Sequence, residues 1–262
     1  MPRSLLIVAH PGHELRLYGW MTQNRPDVIV LTDGGGSVGQ PRVASSRQLI
    51  DAVGATACSL FGANSDQQFY AALLNADYGF FSSLETAIAD TLRGETYEVV
   101  VADPFEGYNP THDLCRLLVN VALERLRRER RTHIANYEYA LTAPLPTSPV
   151  GAPPDVVLKL DGSALATKIA AARGYPELQW EVDRAVEREG MGAFAHEVLR
   201  PLGATQLQLS PPTLPPHYEI YGEKKRADGV YAEVIRYEQH FVPVARHLVT
   251  TLPPIEPEPR PS

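Results

Sequence analysis

The chain has 262 residues, 44% of them hydrophobic and 21% charged, with a formal net charge of −7. That length and apolar content provide for a full hydrophobic core and exclude a disordered or fibrous chain. The negative charge argues against an electrostatic grip on nucleic acid.

Two cysteines, Cys58 and Cys115, lie outside any C-x-x-C pair. Neither a disulfide framework nor a cysteine zinc site is indicated, and each reads as a small buried hydrophobe. The first apolar run covers only residues 5–9, too short for the apolar part of a signal peptide or for a membrane span. A cytoplasmic location with no membrane partner is therefore expected.

From the N-terminus, a short strand over 5–9 is followed by a helix over 14–24, a strand over 27–32 (DVIVLT) and a helix over 45–53. A third strand falls at 57–61, a helix at 84–92, a strand at 98–102 and an amphipathic helix at 114–127. Strands alternating with helices in this way imply a mostly parallel, Rossmann-like α/β sheet with helices on both faces. The basic run RLRRERR at 125–131 reads as a solvated helix end. Further on, a strand is expected at 155–160, helices at 165–173 and 177–189, a loop over 210–222 and a half-buried strand over 230–237. One domain over 1–250 is expected, with its motifs in 1–130, a C-terminal extension over 151–250 and a proline-rich tail over 251–262. The proline-rich stretch 143–154 is the alternative domain boundary.

In an open parallel sheet, ligands bind beyond the carboxyl ends of the strands. Three of those ends are rich in polar groups: AHPGHE after the first strand, TDGGGS after the second and DPFEGYNPTHD after the fourth. If the first and fourth strands are neighbours, His10, His13 and His112 converge. Three protein ligands with an open position suit a catalytic zinc, and imidazoles also accept other divalent metals.

AHPGHE resembles the AHPDDE signature of the LmbE-like, or PIG-L, metal-dependent N-deacetylases, and NPTHD resembles that family's HPDH motif. TDGGGS and SSRQLIDAVGA stand where the family has its glycine-rich turn and its R-x-x-E helix. The resemblance covers roughly the first 120 residues. It implies a Rossmann-like fold, with His10, His13 and His112 as ligands to zinc or another divalent metal. It also implies a supporting role for Glu14, a substrate-facing Arg47 and a small-molecule substrate such as an N-acetylated sugar.

The departures carry as much information. The family's general base falls at Gly12, its aspartate ligand at His13, its oxyanion histidine at Asn109 and its orienting aspartate at Thr111. Asn109 can still donate a hydrogen bond to an oxyanion. Glu106, flanked by Phe105 and Tyr108, is the substitute base expected from its place on the loop before His112. Asp113 and Asp33 are expected to support the ligands from behind, and the alternative for Asp113 is an ion pair with Arg116. The stretch HYEIYGEKK, with His217 and Tyr218, is expected to line a substrate cleft together with Tyr108. The expectation is a metal-dependent hydrolase that removes an N-acyl group. The alternatives are a metal-binding protein that has lost hydrolysis, or a metal enzyme of another reaction class.

Overall fold

In the computed structural model, residues 2–36, 39–130, 133–142, 145, 153–203, 207 and 211–254 are described. Seven strands form one sheet: β1 (Ser4–Val8), β2 (Asp27–Thr32), β3 (Thr56–Asn64), β4 (Val99–Ala102), β5 (Ala135–Tyr139), β6 (Val156–Lys159) and β7 (His196–Pro201). Their spatial order is β3-β2-β1-β4-β5-β7-β6. The pairs from β3 through β5 are parallel, while β7 runs antiparallel to both β5 and β6. This is the expected mostly parallel α/β sheet, and strands from both halves of the chain build it.

The nine helices of the described residues are α1 (Tyr18–Asn24), α2 (Val43–Ala52), α3 (Asp66–Leu74), α4 (Tyr78–Gly94), α5 (Pro110–Arg130), α6 (Gly162–Arg173), α7 (Gln179–Glu189), α8 (His217–Ala227) and α9 (Val242–Thr250). Side chains alternate across a strand, so β1 feeds two cores. Leu5 and Ile7 enter one with α4, α5 and α9, and Leu6 and Val8 enter the other with α2, Trp20 and Tyr175. From β1 the chain steps outward to β2 and β3, then returns to place β4 on the other side of β1. That reversal leaves a crevice between the carboxyl ends of β1 and β4.

The elements depart from the sequence reading in identifiable ways. The helix expected over 14–24 starts as a 3-10 turn, His13–Leu17, because Gly12 enters it at φ 105° and closes a tight bond from Leu15 N–H to Gly12 O. The third strand runs on to Asn64, with two register shifts against β2 that bring Asn64 beside Thr32. Helices α3 and α9 and strands β5 and β7 have no counterpart among the expected elements. The loop expected over 210–222 instead contains the start of α8, entered through Pro216, with Tyr218 and Gly222 buried on one face.

The strand expected over 230–237 does not form. Val234 packs into the space left by Gly222, and Tyr237 begins a π-helical turn, Tyr237–Phe241, leading into α9. The basic run is not simply solvated: Arg125 pairs with Glu85, and Arg127 and Arg128 pair with Glu124. Cys115 is buried but Cys58 is only partly so. The expected boundary over 143–154 and the tail beyond residue 254 fall mostly or wholly outside the described residues. Among those described, no helix is long and apolar enough to cross a membrane.

Candidate functional site

The crevice gathers the three histidines. The ring centres lie 5.2 Å apart for His10–His13, 5.2 Å for His10–His112 and 4.6 Å for His13–His112. Three imidazoles bound through one nitrogen each to a tetrahedral zinc would place their centres about 5 Å apart. His10 and His13 follow β1, and His112 stands in the first turn of α5, which Pro110 opens without a backbone N–H to lose.

Each ring is anchored from behind through Nδ1. His10 Nδ1 lies 2.7 Å from Thr32 Oγ1 and 2.9 Å from Asp66 Oδ1. The Thr32 hydroxyl spends its own proton on Ala9 O, so it accepts from His10 and assigns the proton of that ring to Nδ1. His13 Nδ1 donates to Asp103 Oδ2 at 2.8 Å, and His112 Nδ1 donates to Glu106 Oε1 at 3.1 Å. The Nε2 atoms are thereby left with lone pairs, and Nε2 of His10 is buried without a hydrogen-bond partner. This imidazole–carboxylate pairing is the usual support of a metal-bound histidine. Among the described residues, however, no three His, Cys, Asp or Glu side chains have their donor atoms already set to hold an ion.

The electrostatics keep this tautomer. Burial lowers the pKa of His10, and it takes that of His112 down to about 4, so both rings are neutral near pH 7. For Asp66, burial opposes ionisation, but His10 and the hydrogen bond from Gly36 N–H outweigh it and hold the carboxyl below its ordinary range. Asp103 is likewise lowered against its own burial, by His13, His112 and the Tyr139 hydroxyl. Tyr139 donates to Asp103 Oδ1 at 2.5 Å, and Ala9 N–H donates to Oδ2 at 2.8 Å.

Several expected roles change hands. Glu106 lies behind His112, on the Nδ1 side, with its other oxygen taking Thr142 N–H, so it is not a free base facing Nε2. Asp113 touches no imidazole; its Oδ1 accepts the N–H groups of Glu106 and Gly107 and holds their loop. Nor does it pair with Arg116, whose buried guanidinium donates to Asp103 O, Ala102 O, Tyr137 O and Asn136. Asp33 accepts from Gly35 N–H and Asp66 N–H, and the carboxylate beside His10 is Asp66 instead. Glu14 is buried and accepts from Gly12 N–H and the Ser46 hydroxyl, which brace the turn between the two histidines.

Among the residues expected to face a substrate, Arg47 is exposed, with its guanidinium over Phe61. Arg42 is the arginine that reaches the strand ends, donating to Gly34 O. Tyr218 is buried in the core. Tyr108 and His217 stand at the mouth, with their rings stacked at 4.5 Å. Asn109 Oδ1 accepts Thr111 N–H, which fixes its amide, and its Nδ2 donates to the Tyr70 hydroxyl at 3.4 Å. Burial raises the pKa of Tyr70 to about 12, so its phenol keeps its proton. At Gly12, a Cβ would stand 2.4 Å from Leu178 Cδ1, so an apolar wall fills the space next to the turn.

Sequence reasoning misses Asp66, Asp103 and Tyr70. Asp103 stands in plain view at the end of VVVAD. Asp66 sits in Ser65-Asp66-Gln67-Gln68, whose Ser-x-x-Gln spacing marks a helix start directly after a strand.

The fold is shared with solved structures of deacetylases. A triple mutant of a deacetylase involved in the teicoplanin biosynthetic pathway matches with a TM-score of 0.53 at 14% identity, over 78% of this chain and 99% of that one. The zinc-inhibited form of teicoplanin deacetylase matches at 0.51 and 12% identity, over 78% and 99%. A conserved protein of Thermus thermophilus matches at 0.50 and 18%, over 81% and 98%. At such identities the likeness establishes the fold. The sequence matches no protein-family model and no curated protein.

Proposed function

We propose that His10, His13 and His112 hold a divalent metal, most naturally zinc, through their Nε2 atoms, and that the protein is a metal-dependent hydrolase of a small N-acyl substrate. The observation that carries this reading is the set of three close imidazoles, each fixed by an oxygen at Nδ1. A metal in that position supplies Lewis-acid activation of water and of an acyl carbonyl. Asn109 offers its oriented amide N–H to an oxyanion, and Tyr70 beside it offers a protonated phenol. Thr32, Asp66, Asp103 and Glu106 fix the rings and their tautomers. Asp103 behind His13 keeps its negative charge off the donor set, so the three imidazoles would be neutral donors to the metal.

One observation favours a second reading, a metal-binding protein without hydrolysis. Asp33, Asp66, Asp103, Glu14 and Glu106 each already accept from a histidine, a hydroxyl or a backbone N–H, and Gly12 offers no base. The two readings separate in an amine-release assay on acetanilide and methyl N-acetylglucosaminide, with and without added zinc. Zinc-dependent release that disappears in His13→Ala supports the hydrolase. Zinc uptake without release from either amide supports the second reading.

A further inference from the structure

A row of rings leads away from the histidine cluster. Tyr108 and His217 are stacked at 4.5 Å with planes 5° apart, and His217 and Tyr221 follow at 6.2 Å and 19°. Tyr108 also lies 6.4 Å from His112 with planes 26° apart. Two separate segments build the row. Tyr108 comes from the loop before α5, while His217 and Tyr221 are one helical turn apart on α8 and share a face. The same turn of α8 sends Tyr218 into the core, so the outward rings are not needed to fill it.

The row stands in the open beside the candidate reactive centre. Tyr108 is 47% exposed and Tyr221 is 45% exposed. His217 backs the Tyr108 ring, which keeps nearly half of its surface open to solvent. Tyr108 is held there by a defined turn. Gly107 takes φ 68°, and its N–H donates to buried Asp113. A Cβ at Gly107 would meet Pro211 at 3.0 Å and Pro216 at 3.3 Å, so only glycine lets the loop lie this close to the entry of α8. An exposed tyrosine fixed by a glycine turn and backed by a second ring is preorganised to receive a flat group.

We propose that Tyr108, backed by His217 and Tyr221, is a stacking subsite that takes a flat ring of the ligand, aromatic or pyranose, and holds a substituent of that ring toward the imidazoles. The proposal rests on the three-histidine crevice being the reactive centre. It adds that the substrate carries a ring next to the group that reacts. Ring faces attract by dispersion and by contact between apolar faces, which an acyclic amide of the same polarity cannot match.

NMR titration of the full chain tests this with three probes: acetanilide, methyl N-acetylglucosaminide and ring-free N-methylacetamide, each with and without added zinc. A ring-bearing probe is expected to bind more tightly than N-methylacetamide. Tyr108→Ala should cost that probe about three- to tenfold in affinity, while Tyr108→Phe restores it and N-methylacetamide is unaffected. His217→Ala, which removes the backing ring, should shift affinity in the same direction. The probe that responds tells an aromatic from a sugar ring. Equal affinity for all three probes, or a Tyr108→Ala variant that binds them as the wild type does, would overturn the proposal. A Tyr108-dependent preference for rings in a protein that takes up no zinc would support the subsite and remove only the metal reading.

Discussion

His10, His13 and His112 each present one nitrogen because the other is committed: to Thr32, to Asp103 and to Glu106. Glu106→Gln keeps an oxygen that accepts from His112 Nδ1 and removes the charge together with the acceptor for Thr142 N–H. Zinc affinity should fall about 10- to 100-fold, the usual effect of losing such a partner, with folding unchanged in circular dichroism. Loss of turnover at full zinc affinity would return Glu106 to the role of base. Asp113 behaves in the opposite way to Asp103. Burial, reinforced by Glu106, raises its pKa to about 8 against the hydrogen bonds from Gly107 and Glu106. Its folded value thus lies above the unfolded one of about 3.9, and the folded state binds the extra proton. The stability it contributes is full below the unfolded value and is lost as pH rises through about 8. Asp113→Asn keeps the acceptor without the titration. In urea melts the variant should gain on the wild type between pH 5 and pH 9, and a constant difference across that range would mean that Asp113 is ionised throughout.

The C-terminal elements are tied to the N-terminal ones by a buried carboxylate. Glu197 on β7 accepts the N–H groups of Gly19 and Trp20 at the start of α1, at 2.9 Å and 2.7 Å, and the Lys168 ammonium of α6 at 2.8 Å. A carboxylate at a helix N-terminus satisfies unpaired donors and meets the positive end of the helix dipole. Glu197→Ala would strand both N–H groups and leave Lys168 buried without its countercharge. The expected cost is about 3–5 kcal/mol in denaturant unfolding, and a loss below about 1 kcal/mol would mean that water replaces the carboxylate. Helix α8 holds the segment that follows it by packing and by charge, with Arg236 paired to Glu219 and Glu223. Gly222 lets Val234 approach, and Glu219 accepts Tyr237 N–H, so the segment after α8 is fixed as a turn rather than a strand.

For the whole molecule, the part of the fold read best from the sequence is the part with the simplest signal. β1, β2 and β4 are buried apolar runs closed by polar turns, and their order around the crevice brings His10, His13 and His112 together as expected. β5 and β7 are invisible in the sequence because ANYEY and HEVLRP mix polar residues into positions that the sheet only half buries. The alternation of VYAEVIRY misleads for a related reason: period two matches a strand, but Val234 and Tyr237 are buried against helices. At the site, the histidines are legible as a motif. Their carboxylates are not, because Asp66 and Asp103 arrive from other strand ends and pair only through the fold.

The measurement that tests the central claim most directly is zinc analysis combined with zinc-edge X-ray absorption on the wild type and His112→Ala. About one zinc per wild-type chain is expected, with three imidazole ligands and no sulfur, and its loss in the variant. A wild type that is metal-free and takes up no added zinc, or a zinc whose scattering lacks histidine, would contradict that claim.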